Sequence, residues 1–330
     1  MMDTLIERFP AQLFEALEIG QNSTITPHDK PLNKVYVAGL GGSGIGANFV
    51  QEFIQDECKV PFAVGKGYNI PAYVDENTLC MVSSYSGNTE ETLHAFEQIK
   101  KSGAKIVCLS SGGKLIAQAE ENGYDHIKLP DDWPSPRACL GYSMTQQLFV
   151  LNKLGLISKI TIDQVKKGAE LIKFDMEEIK VEAKKVAHFL MNKIPIIYTT
   201  DRMSAVAVRL RQQINENAKM LCWHHVIPEM NHNEILGWAI KNEDFAVLYF
   251  RNNDDFKRNQ VRIDINKKII SNYTSSIMEV YSKGNSLIEK AVYFIHLGDW
   301  VSWYLSELRG VDAVEIDVIN YLKSELAKVN

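Results

Sequence analysis

The chain has 330 residues, 45% hydrophobic and 23% charged, with a formal net charge of −5. That length exceeds one modest core and predicts two domains of roughly 150 residues each. The acid excess excludes a nucleic-acid binder relying on bulk positive charge and favours neither a membrane surface nor a polyanion as partner.

The first segment, "MMDTLIERFPAQLFEALEIG", reads as one amphipathic helix carrying acids, without the basic-then-apolar layout of a signal peptide. No apolar run approaches about 18 residues, so no membrane span is expected. The five cysteines (Cys58, Cys80, Cys108, Cys139, Cys222) are dispersed, with no CxxC pair. This suits a reducing cytoplasm and offers no zinc pattern, although His224, His225 and His232 lie near Cys222.

From residue 34 short apolar runs alternate with helical patterns. Strands are expected at 34–40, 60–66, 78–85, 104–111 and 126–130, with helices after the first, third and fourth, which indicates a parallel sheet flanked by helices. "PSPRACLGY" at 134–142 interrupts the alternation, and the chain turns helical from about 143. The first domain is taken as 1–153 and the second as 154–330, with 161–193 a charged helical stretch. Alternation then resumes: strands at 194–200, 245–250 and 276–282, helices at 204–220 and 256–270, and a long helix from about 286.

Two turns in the first half carry chemistry. "AGLGGSGIG" (38–46) has the GxGxxG spacing of Gly39, Gly41 and Gly44 between a strand and a helix, where glycines let backbone approach a phosphate. The next strand ends in Gly65, Lys66 and Gly67, with no acid for a ribose, so a nicotinamide cofactor is not expected. In "SSYSGNTEET" (83–92), Ser84, Ser86 and Thr89 fall between the third strand and its helix, a donor cluster suited to a phosphate monoester. Asn88 or Thr89 as helix cap, with Glu90 and Glu91 in the first turn, is the simpler account. It leaves Ser84 and Ser86 without a purpose.

"GLGGSGIG", "SYSGNTEET" and "PRACLGY", in this order, resemble a sugar isomerase (SIS) domain, which binds phosphosugars. "NENAK" (215–219), "PEMNHNEILGW" (228–238) and "INYLKSEL" (319–326) extend the resemblance to the bifunctional phosphoglucose/phosphomannose isomerase family, over nearly the whole chain. The implied fold is α/β, two tandem SIS-type domains, each a mainly parallel sheet flanked by helices. The implied activity is aldose–ketose isomerisation of a phosphosugar through a cis-enediolate, which requires no metal or organic cofactor.

The resemblance makes Glu216 the base, a carboxylate that partial burial can tune toward neutrality; by itself it is a helical glutamate placed to pair with Lys219. It makes His232 the ring-opening group, reaching the site from a neighbouring subunit, and so implies a homodimer with composite sites. Asn231, Asn233 and Glu234 would orient that loop, while His224 and His225 are rival candidates for ring opening. Arg137 offers a fixed positive charge to the enediolate, or else an interdomain salt bridge. Lys323 is a second group for ring opening or oxygen contact on the last helix, where a lysine is otherwise a solvated charge. Ser84, Ser86 and Thr89 would hold the phosphate, with Gly42 and Ser43 against the substrate. Cys139 reads as a small packing residue. The alternatives are another phosphosugar isomerase on the same scaffold, or a phosphosugar-sensing protein without turnover. An amidotransferase domain or a helix-turn-helix segment would mark those two, and neither is expected here.

Overall fold

The computed structural model describes residues 1–329. They divide into two compact units. One is Glu7–Phe174 with Gly284–Val292; the other is Met1–Ile6, Asp175–Lys283 and the chain from Tyr293 onward.

The helix expected at the N-terminus is two helices, α1 (Met2–Glu7) and α2 (Phe9–Asn22). Pro10 lies in the first turn of α2, where its missing N–H costs nothing, whereas inside one continuous helix it would remove a hydrogen bond. There follow β1 (Lys34–Ala38), α3 (Gly41–Phe53), β2 (Phe62–Gly65), β3 (Thr78–Ser83), α4 (Glu90–Ile99), β4 (Lys105–Ser110), α5 (Gly113–Glu121), β5 (Asp125–Lys128), α6 (Leu140–Lys153) and α7 (Lys159–Phe174). The five strands are parallel in the order β2-β1-β3-β4-β5.

Strands covered on both faces read as continuous apolar runs, and β3 and β4 are buried at every position. Tyr36, Cys80, Val82, Ile106 and Cys108 pack with Ala95, Phe96 and Ile99 of α4 and with Leu115 and Ala119 of α5. Phe96 is fully buried, worth about 1.5–3 kcal/mol on area grounds. Residues of the opposite parity, Val35, Val37, Leu79 and Met81, are also fully buried and face the other side of the sheet. The chain leaves β1 toward β2 on one side and returns to β3 on the other. Strand order therefore reverses between β1 and β3, and a crevice opens at their carboxyl ends.

The second unit holds α8 (Met176–Leu190), β6 (Ile194–Thr200), α9 (Ser204–Ala218), β7 (Trp223–Ile227), β8 (Phe245–Arg251), α10 (Lys257–Ile270), β9 (Ile277–Tyr281), most of α11 (Leu287–Arg309) and α12 (Asp317–Leu326). The expected helical stretch 161–193 is thus split between α7 and α8. Asp175 followed by Glu177 and Glu178 is a helix-start signal. Strand β7 was not expected. It lies at the edge of a parallel sheet ordered β7-β6-β8-β9, repeating the first sheet's reversal between β6 and β8. Among the described residues no helix is long and apolar enough to cross a membrane.

Candidate active site

Both hydroxyl- and glycine-rich turns meet at the crevice of the first sheet. Gly39 ends β1 so close to β3 that a Cβ on it would lie 2.9 Å from the Ser83 carbonyl oxygen and 3.2 Å from Cβ of Ser43. A Cβ at Gly42 would meet the Pro136 carbonyl at 3.3 Å and Cα of Arg137 at 3.9 Å. Gly42, Ser43 and Arg137 are therefore neighbours at the start of α3, where backbone N–H groups and the helix dipole favour an anion. Arg137 is buried in a short 3-10 turn, Pro136–Ala138. Cys139 is buried beside it, its thiol directed to the Ser135 carbonyl at 3.6 Å.

In the β3–α4 turn, Thr89 occupies the N-cap position of α4 yet makes no side-chain capping bond. Its hydroxyl lies 2.9 Å from Oγ of Ser84 instead, so capping does not account for the pair. Ser86 Oγ accepts the Asn88 N–H at 3.3 Å. Gly87 turns at φ +67°, and a Cβ there would overlap the Gly112 carbonyl at 1.9 Å. Residues beyond β4, missed in the sequence, brace this turn: Ser110 and Ser111 hydroxyls both donate to the Tyr85 carbonyl (3.2 and 2.7 Å), and Leu115 N–H to that of Gly87 (3.1 Å). "LSSGG" after a strand was the available signal. At the end of β2, Lys66 bonds Asn48 of α3, so a cation stands where a dinucleotide fold would place its acid.

In the second unit Glu216, half-buried in the last turn of α9, lines a pocket of about 460 Å³. Met220 and Leu221 line it from the same side, and Glu315, Ile316, Val318 and Ile319 from the other. Lys219, in the left-handed conformation (φ 54°) that ends α9, joins the two walls. Its ammonium donates to the carbonyls of Glu216 (2.7 Å), Asp312 (2.9 Å) and Glu315 (2.8 Å). Lys323 lies one helical turn beyond Ile319 on the same face of α12. Glu216 lines the pocket and Lys323 does not, although α12 supplies one of its walls.

His232 is not among the residues that line that pocket. It lies in the turn Glu229–His232 that follows β7, and the loop carrying it runs back beside the strand, where Trp223, the first residue of β7, donates to Glu234 at 3.2 Å. His232 is exposed on a loop that is held at several of its other residues. Met230 and Trp238 join the core with Ile263 and Ile270 of α10, and Asn231 donates to Asn266 at 2.7 Å. The rival histidines lie within β7. Burial, helped by the charges of Arg211 and His225, pushes His224 down to about 4, and His225 Nδ1 accepts the Val226 N–H at 2.8 Å.

Residues 31–155 match the SIS domain family, and residues 179–326 match the bacterial phospho-glucose isomerase C-terminal SIS domain. Each parallel sheet is thus the core of a SIS domain, as the sequence pattern implied. Over 335 residues, covering 98% of both chains, the protein is 39% identical to the bifunctional phosphoglucose/phosphomannose isomerase of Caldicellulosiruptor bescii. It is 35% identical to that of Aquifex aeolicus, over 90% of this chain and 92% of that one. Among solved structures, the C-terminal domain of glucosamine-fructose-6-phosphate aminotransferase from Francisella tularensis shares the fold at a TM-score of 0.74 and 13% identity, covering 95% of this chain and 98% of that chain.

Proposed function

The chain belongs to the bifunctional phosphoglucose/phosphomannose isomerase family, and on that premise we propose that it interconverts glucose 6-phosphate, and mannose 6-phosphate with it, with fructose 6-phosphate. The observation that carries this reading is similarity over the full length, 98% of this chain and of its relative.

The residues have a division of labour that fits the chemistry. Ser84, Ser86 and Thr89 donate to the phosphate oxygens, with the start of α3 at Gly42 and Ser43 beside the substrate. His232 opens the ring by moving a proton between the ring oxygen and the anomeric hydroxyl. Glu216 then takes the C2 proton. The C1–C2 bond becomes double as the C1 carbonyl oxygen takes up the electron pair, and Arg137 and Lys323 face the resulting negative charge. A proton passes from the C2 hydroxyl to the C1 oxygen, and Glu216 returns its proton to C1 as the C2 oxygen becomes the carbonyl, so the reaction consumes nothing. Glucose and mannose 6-phosphates give the same enediolate once C2 is planar, so one base serves both epimers.

As the family resemblance implies, His232 serves the Glu216 pocket of a second copy, and the functional unit is a homodimer with composite sites; the absence of His232 from the lining of its own chain's Glu216 pocket supports this reading. Leu236 and Ile240, each 81% exposed in the segment that follows His232, supply apolar surface for that contact. The five cysteines are all free, which supports a reducing cytoplasm.

A coupled assay on purified protein, offering glucose 6-phosphate and mannose 6-phosphate separately with and without EDTA, tests the function. Turnover of both, unchanged by the chelator, is the expected result. Turnover of neither would overturn the reading.

A further inference from the structure

The motif that carries His232 ends in an acid, Glu234, which the family resemblance places only among the residues that orient the loop. Its environment is unusual for a surface glutamate. The hydroxyl of Tyr198, from the centre of β6, donates to Oε1 of Glu234. The indole N–H of Trp223, the first residue of β7, donates to the same oxygen at 3.2 Å. Behind them the Trp238 indole donates to the Tyr198 oxygen at 3.2 Å. Tyr198 is fully buried, and burial, with the Glu234 charge second, pushes its phenol well above the usual range, so it stays a donor. One carboxylate oxygen therefore takes two donors from the sheet floor, a charge-assisted arrangement about twice as strong as neutral hydrogen bonds.

The other ties of the loop lie on either side of His232. Met230 is fully buried in the β6–β8–α10 core, and Asn231 is held by Asn266. Asn233 accepts the Glu234 N–H at 2.6 Å and donates to Glu229 at 2.9 Å. His232 is the exposed crest between two anchors: an apolar one at Met230 and a polar one at Glu234. A side chain that must reach beyond its own unit needs such a base, since a misplacement of about 1 Å costs on the order of 10²-fold in rate.

We propose that Glu234 is a positioning residue for His232, fixing the crest of the loop by anchoring it to Tyr198 and Trp223. This rests on the ring-opening role given to His232 above. Acceptor geometry at Oε1, more than charge, is what the anchor requires. A glutamine retains an acceptor oxygen at that position; an alanine does not.

The test is a double-mutant cycle on the full-length protein with Glu234→Ala, Glu234→Gln, His232→Ala and Glu234→Ala/His232→Ala, each checked for an unchanged circular-dichroism spectrum. Glu234→Ala is expected to lower kcat by about 10- to 100-fold with little change in KM. Glu234→Gln is expected to recover most of that loss. In the His232→Ala background, Glu234→Ala is expected to cost nothing further, because its effect passes through the histidine. If Glu234→Ala lowers kcat by the same factor with or without His232, its role is general and the proposal fails. It fails too if Glu234→Ala leaves kcat unchanged while His232→Ala is impaired. A His232→Ala variant as active as wild type would overturn the assigned histidine role, and the anchor would have nothing to position.

Discussion

The carboxyl ends of β1 and β3 and those of β6 and β8 are the same place in two copies of one topology, yet their chemistry is opposite. At the first, glycines and hydroxyls meet, and the Ser84 and Thr89 hydroxyls lie 2.9 Å apart, with no acid in that turn before Glu90. At the second the chain supplies its own carboxylates. Asp255 accepts from the Thr200 hydroxyl (3.0 Å) and from the side-chain and backbone N–H of Asn252 (3.1 and 3.0 Å), and Asp201 accepts from Asn259 at 3.1 Å. Donors already bonded to an internal anion are not available to a phosphate, and the negative charge repels one. A shared fold therefore does not imply a shared site. The second unit gives its switch point to structure and carries Glu216 in the pocket at the end of α9, with His232 on the loop that follows β7.

That contrast predicts effects of different kinds at corresponding places. The largest belongs to the base: Glu216→Gln is expected to lower kcat by about 10²–10⁴-fold with phosphosugar binding retained, read from turnover and from titration calorimetry. Loss of binding with turnover would instead make Glu216 a structural residue. Next come the hydroxyls. Ser84→Ala removes a donor to a charged group, worth about 1.5–3 kcal/mol or roughly 10- to 150-fold in KM. Thr200→Ala, in the other crevice, is expected to leave KM unchanged and to cost only about 1 kcal/mol of stability. Equal rises in KM for the two variants would break the comparison.

The smallest effect is a pH dependence of stability set in the second unit. Burial holds His296 down to about 3 and His224 to about 4, both below their unfolded value near 6.5. The native state then binds fewer protons than the unfolded one. This stability is complete above about pH 6.5 and is lost as pH falls toward 4. Thermal melts from pH 7 to pH 4 should show a falling midpoint, and His224→Gln should flatten the slope; an unchanged slope would mean the imidazole is not the titrating group.

Much of the fold was legible because its signals are local. Strand-turn-helix punctuation at Gly39–Gly44 and at Ser84–Thr89 marked both turns of the first crevice, and strand 194–200 has the expected bounds. Strand β7 escaped because "WHHVI" is an edge strand with two histidines in its middle, so apolar alternation is weak there. The helix break before Phe9 was written in Pro10 but masked by the amphipathic pattern around it. Within the site, residue types named Glu216, His232 and the hydroxyls, while their spatial relations depended on topology. Glu216 and His232 are 16 positions apart and look adjacent along the chain; an unforeseen strand, β7, lies between them, and His232 does not line the Glu216 pocket. The Tyr198 and Trp223 anchors of Glu234 lie 36 and 11 residues away, and only the register of β6 and β7 brings them together.

The most direct test of composite sites mixes two variants, each strongly impaired as a homodimer: Glu216→Gln and His232→Ala. After the subunits are unfolded together and refolded, half of the dimers formed at random are mixed, and each mixed dimer has one site with both native residues. The account predicts recovery of about a quarter of wild-type activity from the mixture. Activity no greater than that of the separate variants would mean that Glu216 and His232 of the same chain work together, contradicting a site shared between subunits.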